Sequence, residues 1–253
     1  MTRWNTMQRI LIIALGLLVI GALFVAGQDS LADFRNALQQ VPVGSLDRML
    51  AAIEAGFTQP GFPANPLLSL IHHIAHIPAS QEDKESVLLL ITRAMEEGLQ
   101  IEGLIEKGFE LSAALEEGLP IDGILLDALK GIAQRSPVVL IERKISQGLV
   151  LLRGVRDLLF EKDIFAVPVG GQRTIPSALP APRFNQLVVQ IADAVSDYIE
   201  GGGSPFEGHA LYELVGDRLR RLPAQVVPVE DVELVLERIS PADLTRVTLA
   251  AVS

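Results

Sequence analysis

The chain has 253 residues, is 49% apolar, carries a formal net charge of −10 and contains no cysteine. The missing thiols exclude disulfides, thiolate zinc sites, iron–sulfur ligation and a cysteine nucleophile. The acidity disfavours nucleic acid and anionic lipid headgroups as partners, and the apolar share calls for a packed core, not a disordered chain.

Residues 1–27 read as an export signal. Arg3 and Arg9 precede an unbroken apolar run from Ile10 to Val25, and Ala26 and Gly27 follow just before polar Gln28 and Asp29. A positive start, an apolar middle and a small-residue exit make a bacterial-type secretory signal. The run falls short of the ~20 residues a helix needs to cross a bilayer. Cleavage after Gly27 leaves Gln28 first and takes the charge from −10 to −12, because two arginines and no acids are lost. The chain is therefore expected outside the cytoplasm, periplasmic or secreted. If the signal stays, residues 10–27 reach a marginal spanning length and act as an N-terminal anchor at the inner membrane, the chain's only expected membrane contact. Leu23 to Gly27 look like the start of a lipoprotein signal, but Gln28 stands where the lipidated cysteine belongs, so lipidation there is chemically excluded.

The remaining punctuation is helical. Ser30 with Asp33 reads as a capping box opening a helix to about Gln40. Ser45 caps a second helix, Leu46 to Ala55. Asn65 with Pro66 is an N-cap followed by a first-turn proline, and that helix must end near Pro78. Ser80 with Asp83 opens the next, with Val87, Leu88, Ile91 and Met95 on one face. Ser136 with Pro137 starts another, through Ile145.

Helix stops repeat as well. Gly56-Phe57, Gly98-Leu99, Gly108-Phe109, Gly118-Leu119 and Gly148-Leu149 each follow a helix-forming run. A glycine at C′ adopts the left-handed conformation cheaply, and the apolar residue after it folds back on the last turn. Residues 96–105, 106–115 and 116–125 align without gaps. A ten-residue step turns a helix through about 1000°, some 80° short of full turns, so a continuous helix would smear the shared apolar positions around itself. The predicted arrangement is an array of short helices, each broken at its glycine.

Phe165 to Pro182, rich in proline and glycine, reads as an extended connector with a short strand at Ile164–Val167. Pro223 to Pro228 is a second extended piece, and the two could pair as a small ribbon. Beyond the connector, Phe184, Leu187, Val188, Ile191, Val195 and Ile199 keep helical spacing, as do Leu211, Leu214, Val215, Leu219 and Leu222. Gly201 to Ser204 is a turn between these two helices, and Ser240 to Asp243 opens the last. The fold class is mainly α: a repeat-like helical domain at 28–163, a connector at 164–182 and a smaller helical domain at 183–253, with at most a short β-ribbon.

Charge is unevenly laid out. From Glu96 to Asp127 nine acids face Lys107 alone, whereas from Lys130 to Arg156 six bases face Glu142 alone. Either the two runs lie close and neutralise each other, or the first forms an acidic face for a basic partner or divalent cations. Glu96, Glu97, Glu116 and Glu117 sit near helix C-termini, the unfavourable end of the dipole, where a partner charge would relieve them.

His72, His73 and His76 are the candidate metal ligands. His72 and His76 share a helix face at i, i+4, and two imidazoles so spaced can hold zinc or copper at about 2.0–2.1 Å. The glutamate of a metalloprotease motif is absent, residue 73 being histidine. The alternative places His73 among Leu70, Ile71, Ile74 and Ile77 with the other two in solvent. Gly203 to Ala210 has the outline of a phosphate loop but lacks its lysine and hydroxyl. No nucleophile elbow or assembled acid–base motif occurs, and no cofactor-binding sequence is present. The composite reading is an exported, non-enzymatic interaction or scaffold module with a protein partner. The second reading is a binding protein for an apolar ligand or a divalent metal.

Overall fold

The computed structural model describes residues 31–41, 44–167 and 177–252. The expected export signal or anchor at 1–27, the Ser30 cap and the middle of the connector lie outside the described residues. Those described are mainly α, with eleven helices and one two-stranded parallel sheet. None of these helices is long and apolar enough to cross a membrane. The chain forms two compact units that divide between Ser112 and Ala113.

The first unit begins with α1 (31–39), whose Phe34, Ala37, Leu38 and following Val41 are buried at helical spacing. Helices α2 (Leu46–Phe57), α3 (Ala64–His76) and α4 (Gln81–Glu96) follow. Phe57 joins α1 to the next loop, with its ring 5.8 Å from Phe34 and 5.2 Å from Phe62. Ser80 caps α4 as expected, its Oγ accepting from the Asp83 N–H at 3.1 Å. Ser45 precedes α2, but its hydroxyl is spent elsewhere: both its N–H and its Oγ–H donate to Glu85 Oε1 on α4, at 3.1 and 2.8 Å. Asn65 is not a cap either, because α3 starts at Ala64.

Helix α5 (Glu102–Glu116) corrects the expected array. It runs straight through Gly108, and α7 (Val138–Glu161) runs straight through Gly148. Gly56 likewise lies within α2. These glycines are points of close approach, not stops. A Cβ on Gly108 would sit 2.6 Å from Leu70 of α3, and one on Gly148 would sit 2.8 Å from Ile124. The true stops among the five are Gly98 and Gly118, at φ +69° and +73°. Their successors close the loop: the Leu99 N–H donates to Ala94 O and the Leu119 N–H to Ala114 O, both at 2.9 Å. The repeat that matters is thus twenty residues long. Gly98-Leu99-Gln100-Ile101-Glu102-Gly103 and Gly118-Leu119-Pro120-Ile121-Asp122-Gly123 make the same corner, each burying its isoleucine just before the next helix.

In the second unit α6 (Asp122–Ala133) pairs with α7, which also packs against α8 (Ala181–Glu200) and α11 (Pro241–Val252). Ile141, Ile145, Leu149, Leu152, Val155 and Leu159 form the buried stripe of α7. Its exit bears β1 (Phe165–Val167), which pairs in parallel with β2 (Ala178–Pro180). The expected ribbon partner, Pro223 to Pro228, is instead a turn. Phe160 holds this corner, stacked 6.1 Å from Phe165 and 5.1 Å from Phe184. The boundary expected at 164–182 falls inside this unit, because α7 before it and α8 and α11 after it bury their apolar faces on one another.

Helices α9 (Gly208–Arg220) and α10 (Val229–Arg238) complete the unit. Helix α10 is absent from the sequence reading, although Val232, Val235 and Leu236 are buried at the right spacing. Tyr212 ties α9 to it, the phenol donating to Leu236 O at 2.7 Å, while Tyr198 donates to Glu207 at 3.1 Å across the α8–α9 turn. Ser240 and Asp243 cap α11 reciprocally, the Ser240 N–H donating to Asp243 Oδ2 at 2.9 Å. Lys162 adds a 2.7 Å ion pair to that carboxylate.

The helix-end glutamates find partner charges. Arg48 and Arg93 pair with Glu96, whereas Glu117 receives Arg153 at 2.9 Å and Arg156 at 3.0 Å. The Arg153 hydrogen bond, set against partial burial and reinforced by Arg156, holds the Glu117 carboxyl below its ordinary range. Of the acidic run, Glu117 thus meets two arginines of the basic run, whereas Glu96 is paired by Arg48 and Arg93, which lie outside that run.

Two predictions follow from these packings. Gly148→Ala should lose about 1–3 kcal/mol by overpacking against Ile124, whereas Gly123→Ala, whose added methyl meets open space, should gain about 0.5–1 kcal/mol; urea midpoints measure both. A carboxylate whose folded pKa is depressed stabilises above its unfolded pKa and loses that contribution as pH falls through the folded value. Glu117→Gln should therefore cost about 0.5–1 kcal/mol at pH 7, with solvent screening keeping it small. The gap to the parent should close in acid, as read by thermal melts from pH 7 to pH 3.

Candidate functional site

A trough of about 620 Å³ runs over α7 in the second unit, walled by α6 and α8. Its depth comes from what its walls lack. Gly123 leaves open space where a side chain would stand, and Ala128, Ala192 and Ser196 add little. Leu126 of α6 and Leu140 of α7 line it and are 55% and 47% exposed. Large aliphatic side chains left in water on a concave surface mark a binding face more often than a convex scatter does.

Four carboxylates and three cations line the same trough. Lys130 pairs with Asp127 at 2.9 Å, Lys144 with Glu200 at 3.4 Å, and Arg218 with Asp197 at 2.7 Å. Arg218 also donates through Nε to Gln190 at 3.3 Å. Each cation of the lining thus has a carboxylate within reach, the two lysine pairs lying in solvent, and Asp193 is the lining carboxylate without an ion pair. It is open to solvent along the trough, but protein atoms crowd it from the sides and thin its hydration. That desolvation raises its carboxyl above the ordinary range, Asp197 and Asp127 push the same way, and Arg218 opposes them.

The histidines are placed differently. His72 and His76 are exposed, and the His76 Nδ1 lies 2.7 Å from His72 O on its own helix. His73 is half-buried with its ring 5.4 Å from Phe109. Among the described residues no group of three or more His, Asp or Glu is placed to hold a metal ion. His209 is exposed at the start of α9, and Gly203 to Glu207 form the turn ahead of it.

The sequence reading missed Asp193 and Arg218. A signal existed: Asp193, Asp197 and Glu200 stand at i, i+4 and i+7 on the polar side of α8, a like-charge stripe that disfavours an isolated helix. With the geometry in place, comparison with known proteins gives no further lead: no family model, curated protein or solved structure matches the chain.

Asp193 makes a prediction of opposite sign to Glu117. A carboxyl whose folded pKa is raised binds its proton more tightly when folded, so ionisation works against folding above that pKa. Asp193→Asn should raise the melting temperature at pH 7. The advantage should disappear as pH falls below the ordinary aspartate range; equal melts of parent and variant at pH 7 would refute the desolvation account.

Proposed function

We propose that the chain is an exported, non-enzymatic interaction module whose second unit docks a protein partner along the α6–α7–α8 trough. The observation that supports this reading is the exposure of Leu126 and Leu140 on a concave surface. Docking would remove both from water, each apolar Å² being worth about 25 cal/mol. The ion pairs that line the walls supply the polar rim typical of such interfaces. Export rests on the residues ahead of Gln28, read from the sequence alone.

The test has two arms. In the source organism, a photoreactive phenylalanine analogue at Val139, which is 64% exposed beside Leu140, should give one discrete cross-linked product. Leu126→Gln with Leu140→Gln should abolish it while leaving the circular dichroism unchanged. Intact mass of the purified chain should begin at Gln28 in a periplasmic or secreted fraction, or at Met1 in a membrane fraction. A full-length cytoplasmic species would sink the export reading, and a cross-link indifferent to the leucines would sink the docking surface.

A further inference from the structure

We propose that the docked partner presents a basic side chain, carried on an otherwise apolar segment, to Asp193 of the trough. This rests on the docking reading above and names the chemistry of the partner. Lys130, Lys144 and Arg218 are each held by a carboxylate of the same lining. An anionic ligand would have to break one of those pairs and then lie among the acids it exposed. A wholly apolar segment would cover Leu126 and Leu140 well but would strip the remaining water from Asp193 and leave a charge uncompensated, which is costly. One incoming cation satisfies both conditions: its aliphatic stem covers the exposed leucines of the lining, and its charged head meets the carboxylate that has no ion pair. The raised proton affinity of Asp193 agrees with this: the partial desolvation outweighs the attraction of Arg218, which is itself paired with Asp197, so an added cation would favour the charged form.

The probe is dansylcadaverine, a primary ammonium on a five-carbon tether whose dansyl ring brightens in apolar surroundings; dansylamide is the uncharged control and dansylglycine the anionic one. Titrated into the full chain at pH 7.5, the amine should bind saturably and at least tenfold more tightly than either control. Asp193→Asn should weaken the amine about tenfold and leave dansylamide unchanged, the size expected for one charge-assisted contact. Leu140→Gln should weaken all three probes. Equal binding of amine and dansylamide, or an amine indifferent to Asp193→Asn, overturns the assignment of charge while leaving the docking reading to its own cross-link. Preference for dansylglycine overturns it as well. Sedimentation of the chain as a dimer that Leu140→Gln dissociates would mean that a second copy covers the trough, and that too overturns the proposal.

Discussion

The second unit depends on how closely α6 and α7 approach each other. Ile124 fills the place of the missing Cβ on Gly148, and Ile141 lies 3.1 Å from the place of the one missing on Gly131. Two glycines, one on each helix, thus let each backbone take the other's isoleucine. This trades helix propensity, about 1 kcal/mol per glycine, for dense packing of aliphatic side chains. Ile124 and Ile141, the side chains seated on those glycines, also line the trough, so the contact that holds the pair together borders the concave surface beside it.

Charge is handled locally throughout. The glutamates at two helix ends, each at the unfavourable end of a dipole, are clasped by arginines from elsewhere in their own unit. Asp243 serves a helix start and a lysine at once. Even Asp231, almost fully buried at the start of α10, meets Arg183 at 3.2 Å. Within the trough, Asp127, Asp197 and Glu200 each meet a cation, and Asp193 alone of the four lining carboxylates has no ion pair.

Much of this was legible in the residues. The mainly α class, the Ser80 and Ser240 caps, the stops at Gly98 and Gly118 and the buried faces of α4 and α8 follow from spacing and capping chemistry alone, whereas on α9 Leu211, Val215 and Leu219 are buried but Leu214 is exposed. What misled was glycine's double use. The same Gly-Leu or Gly-Phe pair ends a helix at 98 and 118 but admits a neighbour at 56, 108 and 148, and only the tertiary partner decides between them. The ends of α6 and α7 were illegible for the converse reason. Arg135 and Asp163 take the left-handed conformation, φ +55° and +59°, without being glycine, and their successors close the same back-bonds to Gly131 O and Leu159 O. The trough could not be read at all, because it joins residues from α6 to α9 through packing that no local pattern encodes.

The two tyrosines have an optical consequence. Tyr198 and Tyr212 both belong to the second unit, each with its phenol hydrogen-bonded, and the described residues contain no tryptophan. Phe34, Phe57 and Phe62 are all in the first. In a chain from which residues 1–27, and with them Trp4, have been removed, tyrosine emission and near-ultraviolet ellipticity above the phenylalanine bands watch one unit, whereas far-ultraviolet ellipticity watches both. Among the described residues, the chain carries a built-in spectroscopic label that distinguishes the melting of one unit from the melting of the whole.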